Sequence, residues 1–346
     1  MKIGRRELSN QNDELKSPII QDIRPATNNE WDDIWVHCPY AIYHQSREWA
    51  EIWEEYSGGS IRPEPVMLCF SDGKRAVLPF SRQRYLGGII NRYISSLPDV
   101  KWGGWISSDL LGVSHGTALS EYIKNKYANI KWNLNYFDSL VDKIIIPRTR
   151  THDHYIISID KPFDEIYKRI HKNQRKAINK SLREGVNIRE ASSLDDWKKY
   201  YNVYKEYLHK WGEKAVEVKT WKLLETMYRR SSPYIKLWIV EYKHEIIGGR
   251  LCLLSSNVAS GWGIYVLKKY SYVRGPSYLN YTLIKYCCEN GFRWIDLGTS
   301  GNKRGLIEFK ERFSARRIKS YKYEKYSPCV TYTRNAVNRL RQIFRR

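Results

Sequence analysis

Apolar positions recurring every three to four residues alternate along this chain with short runs of β-favouring residues, and the two periods predict its elements. Over 47–56, Trp49, Ile52, Trp53 and Tyr56 share a helical face, and Ser57-Gly58-Gly59 ends that helix. An earlier helix starts near Asn28-Asn29-Glu30, where Asn and Glu suit a cap and first turn. Strand-like runs over 65–70 and 75–80 flank Ser71-Asp72-Gly73, whose Asp-Gly pair signals a hairpin. Glycine pairs at Gly87-Gly88 and Gly103-Gly104 punctuate the strands that follow; a helix over 114–127 and β character over 130–137 come next.

The second half opens with a strand over 155–159 and a helix over 163–184, stopped by Gly185. Phe163, Ile166, Ile170, Ala177, Ile178 and Leu182 fit the helical period imperfectly, while Lys168, Arg169, Lys172, Arg175, Lys176, Lys180 and Arg183 make the other surface basic. Helices over 194–208 and 218–229, a hairpin of 235–240 with 246–254, and a strand over 259–266 follow. Gly275-Pro276 precedes a helix to Asn290, and 294–297 is a short strand. The two halves thus share an order of helices, hairpin, further strands, helix and strand, although their residue identity is weak. That order predicts duplicated mixed α/β domains and not a solenoid, whose shorter period is absent.

Composition agrees with two domains. The chain has 346 residues, 42% of them hydrophobic, enough to bury a core. The expected divisions are a flexible lead-in over 1–22, domains over 23–150 and 151–325, and a basic helix over 326–346. No run approaches the roughly 18 apolar residues of a spanning helix, and the first residues lack an apolar secretory core. The expectation is a soluble, cytoplasmic protein. The formal charge of +22 attracts polyanions such as RNA, a coenzyme phosphate group or an anionic membrane. In the terminal helix, Val337, Leu340, Ile343 and Phe344 oppose Arg334, Arg339, Arg341, Arg345 and Arg346. This segment either packs on the body or touches the inner face of a membrane.

Several chemistries lack their motifs. No Gly-x-Gly-x-x-Gly or Walker-type loop is present, which disfavours a dinucleotide dehydrogenase or a P-loop ATPase. Gly298-Thr299-Ser300-Gly301 is too short for a nucleophile elbow and reads as a turn after a strand. The six cysteines lack Cys-x-x-Cys spacing, so reduced thiols are expected. His152-Asp153-His154 lacks an evident third and fourth ligand and is expected to be a run of polar residues on the surface; no metal is expected.

A series of segments resembles the FemAB-type branch of the GNAT acyltransferase superfamily, which includes peptidoglycan bridge-forming aminoacyltransferases. The series comprises Tyr43-His44-Gln45-Ser46-Arg47-Glu48-Trp49, Leu97-Pro98 with Trp102-Gly103-Gly104, and Asn173-Gln174-Arg175-Lys176-Ala177-Ile178 through Glu184-Gly185-Val186. Ile246-Ile247-Gly248-Gly249, Asp296-Leu297-Gly298 and Phe309-Lys310-x-x-Phe313 complete it, with Ser314 where the family usually has glycine. The resemblance covers roughly 31–323. It implies two tandem GNAT-like domains, each a mixed, mostly antiparallel sheet flanked by helices.

The resemblance implies N-acyl or aminoacyl transfer to an amine acceptor in cell-envelope or surface-glycan synthesis. In that chemistry Lys310, held by Phe309, stabilises the oxyanion, and Asp296 is either a base or the cap of the following turn. Tyr265 lines the acyl channel or packs in the sheet. Donor phosphates meet the stretch containing Lys269, Arg274 and Gly275, which lacks a glycine-rich cradle and loses a donor at Pro276. Acyl-CoA and aminoacyl-tRNA both remain open as donor substrates, with no tightly bound cofactor. On the acceptor or phosphate side the expected residues are Lys172, Arg175, Lys210 and Trp53. Relatives tend to carry a lysine where this chain has Trp53, which loosens the tie to a muramyl-peptide acceptor. The alternative from a different class is a noncatalytic RNA-binding protein using its basic and aromatic surface, although RNA-binding signatures are not evident.

Overall fold

The computed structural model describes residues 17–85, 88–95, 103–151, 153–209 and 219–332. In chain order its first half contains β1 (Ile20–Pro25), α1 (Asn28–His37), α2 (Arg47–Tyr56), β2 (Ile61–Pro63), β3 (Val66–Phe70), β4 (Arg75–Leu78), β5 (Ser81–Tyr85), β6 (Ile90–Ile94), α3 (Val113–Lys126), β7 (Ile130–Asn133) and β8 (Thr149–Arg150). The second contains β9 (His154–Ser158), α4 (Phe163–Arg169), α5 (Lys172–Arg183), β10 (Asn187–Glu190), α6 (Leu194–His209), α7 (Trp221–Arg229), β11 (Ile235–Tyr242), β12 (Glu245–Leu254) and β13 (Val258–Val266). It ends with α8 (Gly275–Glu289), β14 (Trp294–Thr299), α9 (Arg304–Glu311), β15 (Arg316–Ile318) and β16 (Tyr321–Lys325).

Most predicted elements form where the periodicity places them, and the departures have local causes. Thr27, not Asn28, caps α1: its hydroxyl accepts from the Glu30 N–H at 3.3 Å, and the Glu30 carboxylate accepts from the Thr27 N–H at 2.9 Å. This reciprocal box satisfies two backbone donors. The helix expected over 163–184 is two helices, because Ile170 is extended (φ −65°, ψ 131°) and buried. His171 then caps α5, its Nδ1 accepting from the Asn173 N–H at 3.2 Å. The bend lets both α4 and α5 pack against α8, and the imperfect apolar spacing was its trace. Ile20 and Asp22, expected within the lead-in, belong to β1 and lie opposite Phe70 and Cys69 of β3.

Three sheets result: β1-β3-β4, the six-stranded β2-β5-β6-β7-β16-β8 and the seven-stranded β10-β11-β12-β13-β14-β9-β15. Among the described strands each larger sheet holds one parallel pair, β6 with β7 and β13 with β14. A helix makes each crossover, α3 in the first and α8 in the second, as a parallel connection requires. The last strand, β16, returns to pair with β7 and β8.

One apolar cluster runs from Trp31, Trp49 and Trp53 to Tyr200, Leu224 and Leu251, tying α1 and α2 to α6, α7 and the seven-stranded sheet. Gly249 makes this close packing feasible, since a Cβ there would lie 2.6 Å from the Trp238 carbonyl and 2.9 Å from the Tyr200 ring. The opposite face of that sheet is covered by α4, α5 and α8 through Ile166, Ile178 and Leu283.

Candidate active site

The site grows from a separation of two strands. β13 and β14 pair only where Val258, Ala259 and Ser260 face Trp294, Ile295 and Asp296. Past those residues Gly261, Trp262 and Tyr265 form one wall, and Leu297, Gly298 and Thr299 the other, of a narrow cleft of about 390 Å³. A wider cleft of about 640 Å³ lies between α5, the start of α8 and α9. Phe309 borders both.

Lys310 is only 5% exposed, although a lysine on a short polar helix would ordinarily be solvated. Its Nζ donates to the Gly298 and Thr299 carbonyls, each at 2.9 Å, and lies 5.3 Å from the Tyr155 ring centroid. An ammonium has three protons, so one is left for a group in the narrow cleft that Lys310 lines. Burial pushes its pKa down to about 8, against an upward pull from Asp296 and with a further downward push from Arg250.

Asp296 is fully buried and lines neither cleft. It accepts from the Tyr136 hydroxyl at 2.7 Å and the Gly298 N–H at 2.6 Å, with His154 Nδ1 at 3.4 Å. Burial alone pushes its carboxyl up, but His154, Tyr136 and the Gly298 N–H outweigh it and hold the pKa below the ordinary value. The first half also supplies His44, which burial pushes down to about 3 despite Asp296. Asp296 therefore turns the chain at Gly298 and joins the two halves of the sequence beneath the cleft. It does not touch the space a substrate would enter.

Residues 168–311 match the family model of an acetyltransferase (GNAT) domain. FemX is similar in structure, with TM-score 0.69 at 13% identity over 90% of this chain and 99% of that one. The C-terminal domain of a putative lysylphosphatidylglycerol synthetase from Agrobacterium fabrum gives TM-score 0.52 at 11% identity, covering 87% and 93% of the two chains. L-PGS from Bacillus licheniformis gives 0.51 at 15% identity, covering 83% and 95%. No curated protein matches this chain in sequence. The fold is GNAT-like.

Within this GNAT-like frame the expected site residues separate into those that converge and those that do not. Lys310, Phe309 and Tyr265 line the narrow cleft, where the Tyr265 ring packs 4.8 Å from Tyr204 and 5.2 Å from Tyr207. Arg274 lines the wide cleft in a left-handed conformation (φ 62°) that turns the chain into α8, and Gly275 is buried at the start of that helix. Lys269 lines neither cleft, because it pairs with Glu245 at 3.3 Å on the surface. Lys172 and Arg175 lie on α5, but the helix turns Lys176 and Lys180 into the wide cleft instead. Trp53 is a core residue, 6.0 Å from Trp49 and 5.3 Å from Tyr56 by ring centroids, and lines neither cleft. Lys210 and the segment 333–346 lie outside the described residues.

Other residues of the site had no legible signal. His154, expected among surface polar residues, is 1% exposed and sits against Asp296. Tyr136 meets Asp296 across 160 positions. Arg250 is 2% exposed on β12 and lines the narrow cleft. Its burial follows from the pairing of β12 with β11 and β13 on its two sides.

Proposed function

We propose that this protein transfers an acyl or aminoacyl group from an activated donor to an amine. The observation that carries the reading is Lys310, a buried ammonium held by two carbonyls at the wall of a cleft. An uncharged amine attacks the donor carbonyl carbon, and the carbonyl oxygen gains the displaced electron pair. Lys310 donates its third proton to that oxyanion as a hydrogen bond and keeps it. The tetrahedral species then collapses, expelling the sulfur of a coenzyme or the ribose oxygen of a tRNA, which takes up the proton that the attacking nitrogen loses.

The wide cleft suits the donor. Lys176, Lys180, Arg274 and Arg312 give it positive charge beside the start of α8, where phosphate groups are favoured. That chemistry accommodates acyl-CoA and aminoacyl-tRNA alike. The ranges 23–150 and 151–325 are read as tandem GNAT-like units, supported by the paired hairpin, helical crossover and parallel strand in each. The segments that resemble the FemAB-type branch support a role in cell-envelope or surface-glycan synthesis. No helix among the described residues is long and apolar enough to cross a membrane. The proposed location is the cytoplasm, with the terminal basic segment either packed on the body or touching the inner face of a membrane.

The test is incubation of the purified full chain with an acyl-CoA panel or charged tRNAs and an amine panel, with product masses recorded. A covalent amide product is expected. Salt-sensitive RNA binding with no product from any pairing would overturn acyl transfer in favour of a binding protein.

A further inference from the structure

The narrow cleft is lined by two cations besides Lys310, namely Lys219 and Arg250, and the transfer step uses neither. Arg250 is 2% exposed, and among the described residues no carboxylate pairs with it. Its Nη1 donates to the Asn280 side-chain oxygen and the guanidinium lies beside the Cys252 thiol, whereas its Nε has no hydrogen-bond partner. Asn280 is 1% exposed, and its Nδ2 also has no partner. Both residues line the cleft. The approach is built in: a Cβ at residue 261 would lie 2.3 Å from Arg250 Nη2, so glycine there leaves room for the guanidinium. Burying charged and amide donors without acceptors is costly, and such groups call for an acceptor supplied from outside.

We propose that Arg250 and Asn280 form a subsite for a carboxylate on the substrate portion that enters the narrow cleft. The proposal rests on the transferase reading above and names a feature of its substrate. With Nη1 engaged by Asn280, the Nε side of the guanidinium offers in-plane donors that match the two oxygens of a carboxylate, and the Asn280 amide adds another. The more open, four-cation wide cleft is the better place for phosphates. The carboxylate belongs either to an amino acid or peptide end acting as acceptor, or to a dicarboxylic acyl donor; both present the same group to Arg250.

The experiment measures binding to the full chain without acyl transfer, by calorimetric titration and thermal melting. N-acetylglycine stands for the acceptor end, monomethyl succinate for the acyl source, N-acetylglycinamide for the neutral control and methyl phosphate for the competing anion. At least one carboxylate is expected to bind tenfold or more tightly than the amide, and the tighter one identifies the source. Asn280→Asp, which keeps side-chain size and gives Arg250 an internal carboxylate, is expected to raise Tm and weaken that binding at least tenfold. Arg250→Met is expected to abolish it. Equal binding of acid and amide, preference for methyl phosphate, unchanged binding in Asn280→Asp, or no binding of any carboxylate would each overturn the subsite. A protein that binds the carboxylate but makes no amide product would refute the transferase and leave the subsite standing.

Discussion

Replacing Lys310 with methionine keeps the side chain's length and removes its ammonium, so the variant separates stability from catalysis. The displacement of the Lys310 pKa from 10.5 to about 8 corresponds to roughly 3 kcal/mol against the charged form. Methionine removes that cost but also loses two charge-assisted hydrogen bonds to Gly298 and Thr299, worth about 1.5–3 kcal/mol each. The opposing contributions leave a net destabilisation of about 0–3 kcal/mol, which a folded domain tolerates. Turnover, in contrast, loses an oxyanion donor and should fall by about 10²–10³, or roughly 2.7–4 kcal/mol. Denaturant melts and turnover at saturating substrate measure the two quantities on one preparation. A folded Lys310→Met protein with near-wild-type turnover would refute the oxyanion role.

The same lysine sets a pH dependence. Between about 8 and 10.5 the unfolded chain binds a proton that native Lys310 has released. The Lys310 contribution to stability therefore rises with pH through that window and is unfavourable below it. Turnover runs the other way, because the donor must be protonated: it should fall about tenfold per pH unit above about 8. In Lys310→Arg, any residual activity should lack that alkaline limb, since arginine stays charged.

Two smaller substitutions test the scaffold. Asp296→Asn removes the charge that accepts from Tyr136 and the Gly298 N–H and should destabilise the protein by about 1.5–3 kcal/mol in urea melts. Because the native Asp296 pKa is depressed, its contribution is present above the unfolded value near 4 and lost as pH falls through the native value; the variant should show a flatter acid limb. Thr27→Ala opens the capping box of α1 and should cost about 1 kcal/mol by the same melts, with turnover unchanged.

Periodicity located α2 at its observed bounds of Arg47 and Tyr56, and the Asp-Gly pair located the β3–β4 hairpin. Both depend on neighbours within a few positions. Ile170 shows the limit of such reading: the apolar spacing through it was nearly helical, but its burial with α8 and the sheet favoured a bend. The site was legible to the same degree. Phe309, Lys310 and Tyr265 stand in segments with recognisable local order, and all three reach one cleft. Trp53 and Lys269 also had the right residue type or position, but an aromatic core and an ion pair with Glu245 occupy them.

The sequence by itself determined most of the succession of helices and strands, because chain periodicity and capping act over one or two turns. Tertiary structure decided that Lys310 is buried against carbonyls 11 and 12 positions away. It also brought Tyr136 to Asp296 across 160 positions and returned β16 to the first half's sheet. Arg250 belongs to the same class: only the pairing of β12 between two strands and the absence of a side chain at Gly261 place its guanidinium in the cleft. These outcomes depend on which distant surfaces exclude water together. A linear pattern specifies which residues can be buried, and packing specifies what each buried group meets.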